Sequence, residues 1–184
     1  MKSIKNQTMK KMEITRTTTK EDIENIDFEC KKCNHCCSYD SGIFLDKDID
    51  RISSSFDMSP EEFSKKYLVE KDLFDKKVHK AKLNKKNKPF GPCIFLQKEG
   101  CKIHDIKPLH CRLGSGCSEY GQDINIWFML NYIVDQDNPE AIRQWAIYLK
   151  THPTIKLGEL KDLVPDEDKL NKILLFKILK TGDK

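Results

Sequence analysis

The sequence predicts an α+β fold, predominantly helical, in which a small cysteine-rich domain with a short β-hairpin precedes a helical C-terminal part. Three observations predict it. Eight cysteines fall between Cys30 and Cys117. Helix-start signals and apolar residues at helical spacing dominate beyond residue 120. Cys93-Ile94-Phe95-Leu96, Gln97-Lys98-Glu99-Gly100 and Cys101-Lys102-Ile103 read in succession as a hairpin with glycine in its turn. With 184 residues the chain can bury roughly 70% of its unfolded surface, so it needs no disulfides to fold. Its expected organisation is a flexible polar leader (1–25), a cysteine-cluster domain (26–120) and a helical extension packed on it (121–184).

In the leader, Thr15-Arg16-Thr17-Thr18-Thr19 allows a short edge strand and carries no chemistry. Gly42-Ile43-Phe44-Leu45 is a short strand candidate, and Asp46 offers a helix cap before Ile49, Ile52 and Phe56. Ser59-Pro60-Glu61-Glu62 combines an N-cap serine, proline at the first helical position and glutamate at the third. The helix it starts is expected to bury Phe63, Tyr67 and Leu68 and to run to about Lys82. The lysine-rich stretch 65–88 then reads as a solvated helix face followed by a loop. Ile124 to Val134 is apolar enough for a buried helix. Asn138-Pro139-Glu140 caps a helix bearing Ile142, Trp145, Ala146 and Leu149, which must stop near Thr151 because Pro153 follows. Asp166 starts a last helix with Leu170, Ile173, Leu174 and Ile178 on one face.

Charged residues make up 34% of the chain, against about 25% in an ordinary soluble domain, so the surface is heavily ionised. With 33 basic and 29 acidic residues the net charge is only +4, too balanced to imply nucleic acid or an anionic membrane. Arginine, the residue of bidentate phosphate and base recognition, occurs only at Arg16, Arg51, Arg112 and Arg143, so nucleic acid is not an expected partner. The longest apolar run, Ile126 to Leu130, falls far short of the roughly 20 residues that span a membrane. Met1 to Lys20 lacks the apolar core of an export signal, and the expected location is therefore cytoplasmic. In that reducing compartment eight cysteines need an explanation other than disulfides.

Spacing supplies one. Cys30-x-x-Cys33-x-x-Cys36-Cys37 places three sulfurs at the two-residue interval that lets a tight turn aim neighbouring thiolates at one metal. The same interval matches the run that wraps a [4Fe–4S] cluster with a fourth, remote cysteine. Cys37, adjacent to Cys36, is expected to point away from it and to serve a second site or remain a thiol. Phe28 could shield the metal from water. Cys93, Cys101, Cys111 and Cys117 follow at wider spacings that diagnose nothing singly but suit a site assembled by tertiary folding. A buried thiol can also behave as a small hydrophobe, a reading that fits Cys117 as well as a ligand role does and fails to explain the first group.

Phe28-x-Cys30-x-x-Cys33-x-x-Cys36-Cys37, with Gly42-Ile43-Phe44-Leu45 and Asp48-Ile49, resembles the YkgJ-like cysteine-cluster proteins, known for a zinc- or iron-chelating domain and also described as Fe–S-cluster-containing. Cys93-x-Phe95-Leu96, Cys101-x-Ile103 and Lys107-Pro108-x-x-Cys111-Arg112 extend the resemblance over roughly residues 28 to 113. It implies a metal or Fe–S centre bound by Cys30, Cys33, Cys36, Cys37, Cys93, Cys101 and Cys111. Two departures stand out. Asn34 replaces the family's usual glycine, although asparagine also tolerates a left-handed turn. Leu113-Gly114-Ser115-Gly116-Cys117 replaces an aromatic-Pro pair and adds a thiol. Some longer relatives look like flagellin lysine methylases, much of whose length this chain lacks.

Thiolates suit both zinc and iron, so ligand softness does not decide between them. The three-cysteine run favours an iron–sulfur cluster, [4Fe–4S] by its spacing, with Zn2+ as the alternative because structural zinc sites usually pair two knuckles. Lys31, Lys32, Lys102 and Lys107 stand beside candidate ligands and would offset the centre's negative charge. His35, His104 and His110 are secondary ligand candidates; His79 and His152 have no constellation around them. No nucleotide-binding glycine motif, methyl-donor motif or acid–base pair is visible, which leaves catalysis open. The leading functional reading is an iron–sulfur protein that passes electrons or assists a redox enzyme. A structural zinc module whose helical tail binds a protein comes second, and a protein-modifying enzyme third. A protein partner, redox enzyme or client, is expected in the first two.

Overall fold

Ile43 and Phe44 form the two-residue strand β1, and because successive strand side chains point to opposite faces they feed two different cores. The computed structural model describes residues 12–26, 30, 32–85, 88–113 and 120–179. β1 pairs antiparallel with β3 (Lys76–Ala81), which pairs in turn with β2 (Leu68–Leu73), so the sheet order is β1-β3-β2. A second, two-stranded sheet joins β4 (Leu96–Gln97) to β5 (Gly100–Cys101). Among the described residues nine α-helices accompany these sheets, and the fold is α+β with helix predominant.

Below the sheet Phe44 meets Ile49 and Ile52 of α3 (Asp46–Ser54), Phe63 of α4 (Pro60–Tyr67) and Phe95. The rings interlock: Phe63 and Phe95 stack with centroids 6.1 Å apart, and Phe56 meets Phe63 edge-on at 5.5 Å. On the other side Ile43 and Val78 join the larger core built from α6 (Gly121–Tyr132), α7 (Pro139–Leu149) and α9 (Glu167–Leu174). α6 buries Ile124 and every residue from Ile126 to Leu130, as its apolar sequence requires. In α7, Trp145 is fully buried and its indole N–H donates to the Gly158 carbonyl at 2.9 Å. Arg143, also buried, donates to the Ile173 and Ile178 carbonyls and to Glu140, which ties α7 to the end of α9.

Three of the four caps read from sequence are present. The Ser59 hydroxyl accepts from the Glu62 N–H at 3.2 Å while the Glu62 carboxylate accepts from the Ser59 N–H at 3.0 Å. Asn138 and Asp166 cap α7 and α9. At α3 the N-cap is Leu45 instead, and Asp46 is already helical; the Asp48 carboxylate closes the turn by accepting from the Leu45 N–H at 3.2 Å.

Three expectations are corrected. The helix begun at Ser59 ends at Tyr67, and the lysine-rich stretch that follows is the β2–β3 hairpin. Lysine's helix propensity misleads here, because Phe74 and Asp75 both take positive φ and reverse the chain. The solvated face is real: Glu70 on β2 pairs with Lys77 on β3 at 3.3 Å. At the C-terminal end, α9 stops at Leu174, Phe176 takes a φ of 58°, and Ile178 returns to the core outside the helix. Residues 12–25, expected within the flexible leader, pack on the core. Ile14 and Ile23 are buried, α1 spans Lys20–Asn25, and Thr15 bridges Lys156.

Asp48 does more than cap α3. Both carboxylate oxygens accept from the Leu109 N–H at 3.2 Å, at the start of α5 (Leu109–Arg112). Arg51 pairs with Asp48 at 3.0 Å and donates to the Ile106 and Lys107 carbonyls. The segment leading into α5 is thereby clamped to α3. Asp48→Ala strands the buried Leu109 N–H and is expected to lower unfolding stability by about 1–3 kcal/mol, read as a shifted urea midpoint; a midpoint equal to the parent's refutes the clamp.

Candidate metal centre

The first cysteine group lies on a loop folded by two left-handed residues. Lys32 takes a φ of 50° and Asn34 one of 59°, so asparagine does adopt the turn for which the sequence replaced glycine. Asn34 is also the N-cap residue of the short helix α2 (His35–Tyr39), and its carbonyl accepts from both the Ser38 N–H and the Ser38 hydroxyl. Along this loop Cys30 and Cys37 are half-buried, whereas Cys33 and Cys36 are exposed. The sulfurs of Cys36 and Cys37 sit 3.9 Å apart, against the expectation that neighbours point apart. That expectation suits a strand; a helix turns only about 100° per residue, so consecutive side chains can lean together.

The second group is brought up to the first by backbone. The Cys93 N–H donates to the Cys37 carbonyl at 2.8 Å, and Cys93 bridges Leu83 beyond the end of β3. The β4–β5 hairpin, expected from sequence, sets Cys101 opposite Leu96. Cys93 accepts a backbone hydrogen bond from Phe95, and Cys101 accepts one from Ile103. An N–H two residues on, aimed at a cysteine sulfur, favours the thiolate and orients it as metal sites require. Spacing alone did not reveal this.

Cys111 arrives on α5, placed by the Asp48–Arg51 clamp. Its sulfur lies so close to Gly42 that a Cβ there would overlap it. Only glycine at 42 lets the strand entering β1 pass the thiol. The neighbouring His110 uses both ring nitrogens inside the protein: Nε2 meets the Asn125 side-chain oxygen at 3.2 Å and Nδ1 accepts from the Ile43 N–H at 3.4 Å. Burial holds its pKa below the usual histidine value, and with both nitrogens engaged the ring lines the cavity wall.

Cys30, Cys33, Cys36, Cys37, Cys93, Cys101 and Cys111 all line one cavity of about 820 Å³, and none of them is in a disulfide. Among the described residues, no three His, Cys, Asp or Glu side chains yet converge on a point where a single ion could sit. The thiols surround a space rather than a point. His104 lines the cavity, whereas the His35 ring packs edge-on against Tyr39. His152, without companions in sequence, also reaches the cavity wall together with Tyr148, on which it stacks at 4.2 Å. Only the packing of α7 against α6 could have disclosed that. Lys32 lines the cavity and Lys107 stabilises the Cys101 thiolate, but the Lys102 ammonium turns away onto the Phe56 ring at 4.8 Å. Phe28, Lys31 and Cys117 lie outside the described residues.

Without a cation these thiols oppose one another's ionisation. Burial first, then the adjacent Cys36, pushes Cys37 up to about 12. Burial pushes Cys93 up to about 11 against the Phe95 hydrogen bond, and raises Cys101 and Cys111 as well. Each is therefore a protonated thiol at neutral pH, and a donor set of this kind ionises only when a cation arrives. The chemistry of the donors fits a thiophilic metal or cluster.

Two outcomes follow. Because protons compete with metal for these thiols, affinity should rise with pH across neutrality, by about tenfold per pH unit for each thiol ionised; a chelator-competition titration that stays flat with pH removes the thiols as ligands. Gly42→Ala should displace the Cys111 sulfur and deplete bound metal while the far-ultraviolet circular dichroism keeps its helical signal. Full metal content in that variant would show that Cys111 is not needed.

Comparison with known proteins bears on the family rather than on individual ligands. A stretch of 93 residues is 29% identical to Uncharacterized protein MJ0661 of Methanocaldococcus jannaschii, covering 50% of this chain and 46% of that protein. The chain thus spans less than half the length of this relative. No solved structure matches it. The family model of the CxxCxxCC proteins, described as a "putative zinc- or iron-chelating domain", matches residues 29–127, a span that holds every cysteine discussed above. By that match the chain belongs to the CxxCxxCC family of metal-binding proteins.

Proposed function

We propose that the protein is an iron–sulfur protein that exchanges electrons with, or assists, a partner redox enzyme. The observation that carries this reading is the arrangement of seven thiols around one cavity of about 820 Å³, three of them at the two-residue spacing that wraps an iron–sulfur cluster. A cluster occupies volume and takes its thiolates at separate irons, whereas a lone ion draws four donors to one point. When bound, such a cluster supplies one-electron chemistry. The chain's own part is to ionise and orient the sulfurs through the Phe95 and Ile103 N–H groups, and to offset their charge with Lys107. The exposure of Cys33 and Cys36 leaves one side of the centre open to a partner protein.

Structural zinc is the second reading. It is favoured by the N–H···S turns at Cys93 and Cys101, which suit a closed four-thiolate site that holds a fold together. In that case the helical part beyond α5 is the surface that meets a protein partner. The location proposed for either is the cytoplasm, where these thiols stay reduced; among the described residues no helix is long and apolar enough to cross a membrane.

Protein purified without oxygen is expected to carry iron, acid-labile sulfide and a visible absorption band that bleaches on reduction. Stoichiometric zinc without colour or sulfide would overturn the iron–sulfur reading in favour of the structural one, and its removal by a chelator would then unfold the cysteine-cluster region.

A further inference from the structure

From Lys76 to Lys98 the chain carries eight lysines and no aspartate or glutamate. The middle of this stretch is a loop that springs from the cysteine site. Leu83 bridges Cys93 at its base, and the Asn84 N–H donates to the Pro92 carbonyl at 2.8 Å. The Lys88 N–H donates to the Lys85 carbonyl, also at 2.8 Å. The Lys82 ammonium ties the base of the loop to α4 through the Lys65 and Lys66 carbonyls. Hydrogen bonds thus fix the loop, while Lys85, Lys88 and Phe90 stay exposed. Phe90 is 49% exposed and meets Tyr39 of α2, 57% exposed, with ring centroids 6.3 Å apart. His35 meets Tyr39 edge-on at 5.6 Å, on the same short helix as the exposed Cys36. Exposed rings that pack on one another rather than into a core are the side chains enriched at protein interfaces.

We propose that this aromatic pair and the lysines of the loop form a docking surface for an acidic protein, beside the open side of the metal centre. The proposal rests on the redox-partner reading above and names the chemistry of that partner. The chain's own acids leave the surface positive. Asp40, next to Tyr39, is matched by Lys80 at 2.8 Å, and Glu70 on the hairpin pairs with Lys77. Glu99 and Asp105 belong to the β4–β5 turn and the segment behind it, on the cavity wall. Among the described residues no acid pairs with Lys85 or Lys88. A second copy of this chain would set like charge against like, because a two-fold contact uses the same patch on both subunits. Nucleic-acid recognition leans on arginine, and all four arginines are engaged elsewhere: Arg16 with Gln136, Arg51 with Asp48, Arg112 with Glu24 and Arg143 with Glu140. On an acidic protein the rings supply contact area while the lysines steer the encounter, so association is weakened by salt.

The test uses the full chain purified without oxygen, with its iron, zinc and sulfide counted first. Binding of a synthetic peptide rich in Glu and Phe is followed by fluorescence anisotropy. The chains compared are the parent, Lys85→Glu/Lys88→Glu, Phe90→Ala and a control pair in the C-terminal helical part, Lys161→Glu/Lys169→Glu. The parent should bind the peptide, and more weakly as salt rises. The loop pair should weaken binding about tenfold or more; Phe90→Ala should weaken it too, and the control pair should leave it unchanged. Every variant should keep the parent's metal content and melting temperature, because each substituted side chain is exposed and outside both cores. No binding by the parent, equal binding by the loop pair, or an equal loss in the control pair overturns the docking surface. Tighter binding of oligothymidylate or of phosphatidylglycerol vesicles than of the peptide also overturns it, and reassigns the surface to nucleic acid or membrane. Zinc without sulfide in the metal count overturns the redox reading alone, since the peptide measurement does not depend on which metal is bound.

Discussion

The carboxylate of Asp48 fixes the segment that carries Cys111 to the site. It is buried, it closes the first turn of α3, and it accepts the Leu109 N–H that begins α5. Arg51 completes the clamp by holding the Ile106 and Lys107 carbonyls. Without this contact Cys111 would ride on a four-residue helix, too short to be stable alone, held by the buried Leu109 and the hydrogen bonds of His110. The clamp also explains the tolerance demanded of Gly42: α5 is pressed so close to the strand entering β1 that the Cys111 sulfur occupies the space a side chain would need.

The sheet divides the labour of the rest. One face, through Ile43 and Val78, rests on the large helical core; the other, through Phe44 and Ala81, rests on the aromatic cluster beside the thiols. Cys93 belongs to that second core and lines the cavity as well. The wall of the site is thus continuous with packed hydrophobic structure, and burial rather than charge dominates the thiols' reluctance to ionise. The same low-dielectric wall that disfavours a lone thiolate strengthens its attraction to a metal cation. Family membership and donor chemistry therefore agree on metal binding.

How much of this was legible beforehand can be judged residue by residue. The Ser59, Asn138 and Asp166 caps, the buried α6 and the β4–β5 hairpin are local events, set by side-chain–backbone hydrogen bonds and periodicity within a few residues. The two-residue spacing of Cys30, Cys33 and Cys36 is local chemistry in the same sense. The β2–β3 hairpin was missed because lysine-rich strands carry weak propensity, and its turn at Phe74-Asp75 contains neither the glycine nor the asparagine that usually marks one. The contact between Cys36 and Cys37 was misjudged because it depends on whether their backbone is helical or extended.

By itself, then, the sequence determined the α+β fold class, most helix starts and the spacing of the first cysteine group, because capping, periodicity and cysteine spacing act over a few bonds. Tertiary structure alone decided which thiols lie deep and which at the rim. It alone placed Asp48 against Leu109, brought His152 to the cavity and engaged both ring nitrogens of His110. Burial and the pairing of distant N–H groups are properties of the packed chain, and no local pattern encodes them.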